Sequence, residues 1–311
     1  MSYIKSVRQL RAIFFGHTLA DVAVCAAKGS EIARWGDTWW AGRTGREIPD
    51  PNNHKWPDYL SGRLPRSWLR APLIADFPVL QTILDDPLWP LLQRLVHPDE
   101  DTGCWAAQLR LNGRSFRYFS ATRLQRLCGV PHWRRLACLF ALLASERPSD
   151  YASQKWLRRE LTVYVLCVCL ELPGLVDPVV LYNVLEEANH QGKLGTLADW
   201  PKSSDEFRQK IQRLRRIQQR LIARGWIREW RHQERLLFWH LLREPLLLVR
   251  LLTGSPSGDL NRDHLCNRAR LWLRQAQRDR VNFEAAEPGS WRWCDPTRGG
   301  SPPFAWVVPW A

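Results

Sequence analysis

The sequence lacks the short motifs that mark the commonest nucleotide-binding and hydrolytic sites. It contains no glycine-rich phosphate loop, no GxSxG segment around a serine nucleophile and no HExxH pair of zinc ligands. We therefore predict a protein without catalytic residues and without a cofactor. Acidic residues at 85–86 and 99–101 leave a metal-dependent nuclease open as an alternative. Both groups are flanked by proline, a setting in which acidic residues commonly cap helices or face solvent.

Long apolar runs are also absent. A membrane-spanning helix needs roughly 18 to 20 apolar residues in succession. The nearest approach, residues 236–252, is interrupted by charged residues and by Pro245. At the N-terminus, His17 and Asp21 interrupt the apolar stretch that a secretory signal would require. The sequence thus predicts a cytoplasmic protein with no membrane partner.

The eight cysteines include no CxxC pair, the spacing typical of many zinc and redox sites. Cys128, His132 and Cys138 come nearest to a ligand cluster, but their spacing matches no common zinc framework. Cys167 and Cys169 lie in an apolar run and are expected to be small core residues. We predict no metal site and reduced thiols, as in an intracellular protein.

Basic residues outnumber acidic ones, which gives a net charge of +14. Residues 202–235 hold 11 basic and 4 acidic residues (+7), and residues 262–280 hold 6 and 2 (+4). Such a concentrated excess favours a surface that binds a polyanion. The 18 tryptophans are scattered over the whole length, so most are expected in the core or in interfaces.

Part of this charge lies on a predicted helix that begins after Ser203 and ends at Gly225. Apolar residues from Phe207 to Leu221 recur every three or four positions and predict one buried side. No acidic residue occurs between Glu206 and Glu229, although a solvated helix face normally mixes charges of both signs. The opposite side carries Arg and Gln, which can bond to base edges in the major groove. These residues are Gln209, Gln212, Arg213, Arg216, Gln219 and Arg220.

Two segments rich in strand-forming residues follow, 226–230 and 236–240, and they predict a β-hairpin. Upstream, residues 156–172 and 177–191 have helical patterns, and a loop at 192–202 joins them to the basic helix. This order of three helices and a hairpin resembles winged helix-turn-helix DNA-binding domains, over about residues 151–242.

The resemblance implies a mode of DNA binding. The basic helix would lie in the major groove of duplex DNA and read base edges. The hairpin would contact the phosphate backbone through Arg228, Arg231 and Arg235. Arg274, on a second predicted basic helix at residues 262–280, is a further candidate for a backbone contact.

We predict a mainly α-helical fold in three parts. Residues 1–149 form a Trp-rich helical domain with a small β-hairpin, for which Asn112-Gly113 is a strong turn signal. Residues 150–253 form the winged-helix-like module. Residues 254–311 comprise a linker, the C-terminal basic helix and a tail rich in proline and tryptophan.

Together these features predict a non-enzymatic DNA-binding protein, either a regulator or an accessory protein of replication or of a mobile element. The alternative is a non-catalytic interaction subunit of a larger protein or RNA–protein complex. In that case the Trp-rich half would dock a protein partner, and the basic helices would face RNA or an acidic surface. The choice between DNA and RNA and the existence of a homodimer stay open at this point.

Overall fold

A computed structural model of the protein describes residues 3–25, 28–45, 55–97, 102–116, 119–171, 178–253, 262–279 and 281–283. The fold is mainly helical, as predicted. The helices before residue 150 are α1 Tyr3–Val22, α2 Gly29–Thr44, α3 Lys55–Leu60, α4 Ser67–Asp76, α5 Val79–Leu84, α6 Leu88–Leu95, α7 Gly103–Gln108, α8 Ala121–Cys128 and α9 Leu136–Leu143. The later helices are α10 Tyr151–Glu171, α11 Pro178–His190, α12 Ser204–Ala223, α13 His232–Arg243, α14 Pro245–Thr253 and α15 Arg262–Arg278.

Short 3-10 turns at Trp133–Arg135 and Pro148–Asp150 precede α9 and α10. Within the described ranges, none of the helices combines the length and the apolar character that crossing a membrane demands. The predicted linker at 254–258 and the tail from residue 284 lie outside the described residues.

The predicted hairpin is confirmed. Strands β1, Leu109–Leu111, and β2, Arg114–Ser115, pair antiparallel. Asn112 and Gly113 between them have φ values of 55° and 72°, the left-handed conformations of a two-residue type I′ turn. A third strand, β3 at Val281–Phe283, was not predicted; it pairs antiparallel with β1 and gives the order β2-β1-β3.

The buried apolar residues form one continuous cluster that runs from α1 to β3. Helix α1 packs against α3, α5, α6 and α11, and α10 packs against α9, α12 and α13. Trp56, Trp89 and Trp239 are fully buried in this cluster, in agreement with a core role for these tryptophans. The core is shared across residue 150, where the sequence predicts a domain boundary.

Helices α1 and α3 approach each other closely at Gly16. A Cβ at this position would lie 2.1 Å from the carbonyl oxygen of Tyr59, a backbone atom that no side-chain movement can displace. We expect Gly16→Ala to lower the free energy of unfolding by about 3 kcal/mol, the upper end of the usual effect of overpacking.

The matched control is Gly42→Ala in α2, where an added Cβ meets nothing within 4 Å. This change should leave stability unchanged or raise it by about 0.5–1 kcal/mol, since alanine favours the helix. Chemical denaturation followed by circular dichroism measures both variants. Equal stability of Gly16→Ala and the native protein would show that the two helices do not cross at this residue.

The predicted hairpin at residues 226–240 is wrong. Residues 226–231 contain no strand, and His232–Arg243 forms the helix α13. The residues from Glu234 to Trp239 are all buried, because α13 packs against α10, α14 and α15. An apolar run that is buried on several sides has neither the alternation of a strand nor the one-sided pattern of a surface helix. Strand-forming composition therefore misled the prediction, and the protein has no wing at this place.

Candidate nucleic-acid interface

Helix α12 begins with a well-formed cap. Ser203 has an extended backbone, and its side-chain oxygen accepts a hydrogen bond of 3.2 Å from the Glu206 N–H. The Glu206 carboxylate in turn accepts one of 2.8 Å from the Lys202 N–H, and this bond lowers the pKa of Glu206. The acidic residues of the helix are confined to this first turn, where they complement the helix dipole.

One side of α12 is anchored in the protein, as the apolar spacing predicts. Phe207, Ile211 and Leu221 are buried, and the helix packs against α10, α11 and α14. The ring of Phe207 lies 5.5 Å from Tyr182 and 6.1 Å from Trp200, centroid to centroid. Beyond the helix, Gly225 adopts φ 71° and so provides the left-handed stop that the sequence predicts.

The opposite side of α12 faces solvent. We define the basic face of α12 as its six predicted DNA-contacting residues, all of which are exposed: Gln209, Gln212, Arg213, Arg216, Gln219 and Arg220. Arg208, Arg215 and Arg224 are exposed on its flanks. The helix has 20 residues and is therefore about 30 Å long.

Most of this positive charge has no carboxylate beside it. In the part of the chain that the structure describes, ion pairs of α12 involve the acids of its first turn, with Arg208 3.0 Å from Asp205 and Lys210 3.5 Å from Glu206. Further along, Arg213, Arg216 and Arg220 form no ion pair with any residue that the structure describes. Because no acidic residue follows the first turn of α12, positive charges predominate along the rest of the helix, and this surface attracts anions.

Arg228 and Arg231 are exposed in the segment between α12 and α13. They line an open cleft of about 540 Å³, which we call the basic cleft, and Arg262 and Arg270 of α15 face them across it. Arg231 is ion-paired with Glu229, so Arg228 is the more available of the two for an external phosphate. The structure thus keeps both residues at the surface, in an irregular segment and not on a hairpin.

Arg274 is exposed on α15, one turn beyond Arg270 and on the same side of that helix. It therefore extends the row of basic residues that begins in the basic cleft. Helix α15 packs on α13, whereas α12 packs on α10, α11 and α14. The exposed predicted contacts consequently lie on α12, on α15 and in the segment that follows α12, and both helices pack on the same core.

Arg235 does not belong to the interface, and this predicted DNA contact is wrong. Its side chain is only 8% exposed and forms an ion pair with the buried carboxylate of Glu171 at the end of α10. His132 Nε2 lies 3.2 Å from the same carboxylate. Burial lowers the pKa of His132 far below its usual value, so the imidazole is neutral. The apolar neighbours of Arg235 were the signal in the sequence that this residue is buried.

The carboxylates considered for a nuclease do not form a metal site in the described residues. Asp86 is buried, and its Oδ1 accepts a hydrogen bond of 2.9 Å from the Leu88 N–H at the start of α6. Burial raises the pKa of Asp86 to about 7. Asp85 is exposed, and residues 99–101 lie outside the described part of the chain.

The cysteine side chains that the structure describes are free thiols. Cys128, Cys138, Cys167 and Cys169 are buried, which confirms the core role predicted for the last two. No group of three His, Cys, Asp or Glu residues in the described ranges is placed to hold a metal ion.

Sequence reasoning missed one other concave site, between α10, α13 and α15. Its residues come from α8, α10, α13, α14 and α15, which span residues 121–278, and no local motif marks it. Comparison of the chain with protein-family models, with curated proteins and with solved structures gives no match. The candidate interface therefore rests on the exposure and the charge of its own residues.

Proposed function

We propose that the protein is a non-enzymatic DNA-binding protein that places the basic face of α12 in the major groove of duplex DNA. The observation that carries this proposal is the exposed row of Arg213, Arg216 and Arg220, which has no carboxylate partner among the described residues. Guanidinium groups pair with phosphates and with the O6 and N7 atoms of guanine.

The anchoring of α12 supports the same proposal. Its buried side fixes the helix against three neighbours, so the cationic side is held in place before DNA binds. A helix about 10–12 Å across fits the major groove, which is about 12 Å wide. Exposed Gln209, Gln212 and Gln219 lie on the same face as the arginines and supply carboxamides that can pair with adenine.

Further phosphate contacts, beyond those of the α12 arginines, are assigned to residues outside the helix face. Arg228 and Arg274 are exposed and lie on separate elements, so they would hold the duplex beside α12 while the helix occupies the groove. With the wing absent, these backbone contacts come from the segment after α12 and from α15. A regulator and an accessory protein of replication or of a mobile element both fit this arrangement.

The proposal is tested by measuring affinity for a fluorescent 20-base-pair duplex by anisotropy at several salt concentrations. About four or five phosphate contacts predict a slope of log K against log salt of about −4. The Kd is then expected to rise by a few hundred-fold, within about a factor of two, between 50 and 200 mM salt. A duplex Kd that does not change with salt would overturn the proposal.

The same titration with single-stranded DNA and with duplex RNA identifies the preferred nucleic acid. Duplex DNA should bind most tightly, because the deep, narrow major groove of duplex RNA does not admit a helix. Tighter binding of either competitor at equal salt would contradict the placement of α12 in a DNA major groove.

A second candidate function is that of an interaction subunit in a larger protein or RNA–protein complex. It is favoured by Leu246 and Val249 on α14, which are 87% and 55% exposed one helical turn apart. Light scattering over a range of protein concentrations would reveal self-association through this surface. Loss of that association in Leu246→Ser/Val249→Ser, with unchanged DNA affinity, would support the second function alongside the first.

A further inference from the structure

A cleft separate from the basic face of α12 lies between α10, α13 and α15. We call it the Trp272 cleft. Its volume is about 390 Å³, within the roughly 300–1,000 Å³ range of small-molecule sites. It shares no residue with the basic face of α12 or with the basic cleft. Its lining is mixed, and its apolar part includes Val163, Leu237, Leu241, Leu247, Leu265 and Ala269.

Two rings form an aromatic wall in this cleft. Trp272 is partly buried, and its ring centroid lies 5.0 Å from that of His240 with the planes tilted by 54°. Burial lowers the pKa of His240 to about 4, so its ring is uncharged near neutral pH. A flat apolar group can therefore pack against this wall without meeting a charge.

Three arginines and two glutamates line the cleft, so these groups carry an excess of one positive charge. Glu160 is already matched, with its Oε2 2.8 Å from Arg243 Nε and its Oε1 3.6 Å from Arg159 Nε. Arg268 is exposed at the cleft and has no carboxylate partner in the part of the chain that the structure describes. The remaining acid, Glu244, is exposed at the rim.

The lining of the cleft also contains an uncharged hydrogen-bond donor. Gln125 of α8 lines the same cleft, and its side-chain amide forms no hydrogen bond with any of the described residues. A carboxylate offers two oxygens, which the fork of an arginine and an amide N–H can bind together. A cavity with an aromatic wall, an apolar part and one guanidinium without a carboxylate partner fits an organic anion better than a neutral or cationic molecule.

We propose that the Trp272 cleft binds a small aromatic carboxylate, with the ring of the ligand against Trp272 and its carboxylate paired with Arg268. This proposal does not rest on the proposed DNA binding, because the two surfaces have no residue in common. Such a ligand bridges α13 and α15, so its binding also holds together the two helices that border the basic cleft.

The test is a calorimetric titration of the full chain with 2-naphthoate and, as a matched probe, 2-naphthamide. Both have the same ring system, and only the first carries a charge. We expect 2-naphthoate to bind at least about tenfold more tightly, the usual contribution of a charge-assisted hydrogen bond. Arg268→Gln should remove this preference and leave the weaker binding of the amide unchanged.

Two further variants locate the site. Arg274→Gln changes another exposed arginine of α15 that does not line the cleft, and it should bind 2-naphthoate as the native protein does. Trp272→Leu, checked for folding by circular dichroism, should weaken the binding of both probes by a similar factor. Equal affinity of the native protein for the two probes, or equal losses in Arg268→Gln and Arg274→Gln, would overturn the proposal.

Discussion

Replacing Arg213, Arg216 and Arg220 together by glutamate is expected to abolish binding to duplex DNA. The change converts three positive charges on the exposed side of α12 into three negative ones. Each lost phosphate or base contact is accompanied by repulsion from the DNA backbone, which carries one charge per about 1.7 Å of helix axis. We expect affinity to fall by at least about 100-fold at 100 mM salt, which is to the level of non-specific binding or below.

Neutral variants separate the loss of attraction from repulsion and from damage to the helix. Glutamate near the C-terminal end of α12 opposes the helix dipole, whereas glutamine does not. The triple glutamine variant should keep native stability and reduce the slope of log K against log salt by about 2.7, or 0.9 for each contact removed. Anisotropy titrations at four salt concentrations would measure this slope.

The matched control reverses three exposed arginines elsewhere, Arg8, Arg34 and Arg66, with the same change in net charge. These residues lie on or before α1, α2 and α4, away from α12 along the chain. If net charge alone governs binding, both triple reversals weaken it equally. A native salt slope in the α12 glutamine variant would show that this helix does not contact the DNA.

Replacing Arg235 by methionine is expected to cause one of the largest losses of stability of any single substitution. The guanidinium is the ion-pair partner of Glu171, and both side chains are largely buried. Removing one partner of a buried pair leaves the other charge uncompensated, at a cost of about 3–5 kcal/mol. The double variant Arg235→Met/Glu171→Met removes both charges and should recover most of that loss, since apolar replacement of a buried pair is often neutral.

The loss of stability in Arg235→Met should be larger at high pH than at low pH. Burial raises the pKa of Glu171 in the folded protein to about 7, and the nearby Arg235 and Arg134 oppose this rise. Without Arg235 the folded pKa rises further above the unfolded value. Folding then favours the protonated acid, so the stability of the variant is greatest at low pH and declines as pH rises through the folded pKa. Loss of Arg235 also removes a positive charge that repels protonated His132. This change makes the variant relatively more stable at low pH.

Denaturation of Arg235→Met and of the native protein at pH 5 and pH 8 checks this expectation. The difference in unfolding free energy should be larger at pH 8. The double variant has no carboxylate at residue 171, so its difference from the native protein should not grow between pH 5 and pH 8. It should bind DNA as the native protein does, because Arg235 is buried. A constant difference at both pH values would mean that Glu171 carries no charge in the native core.

Several elements could be predicted from neighbouring residues alone. The amphipathic spacing and the Ser203 cap predicted both ends of α12 to within a residue or two, because both are local properties of the chain. Asn112-Gly113 likewise gave the hairpin turn, since these residues tolerate the positive φ values that the turn requires. The exposure of all six residues on the basic face followed from the same helical period.

Other features depended on partners that are distant in the sequence. Residues 236–240 have the composition of a strand, yet packing against three helices makes them part of α13. The predicted exposure of Arg235 was wrong for the same reason, because its partner Glu171 lies on another helix. The pairing of β3 with β1 and the Trp272 cleft also bring together segments that no local pattern connects.

The sequence by itself determined where positive charge accumulates, which side of α12 is apolar and where the hairpin turns. These properties follow from side-chain chemistry and backbone preference over a few residues. Only the tertiary structure decided which arginines face solvent and which neutralise a buried carboxylate. The reason is that burial depends on the whole set of helices packed around a residue, and an arginine has the same charge in both settings.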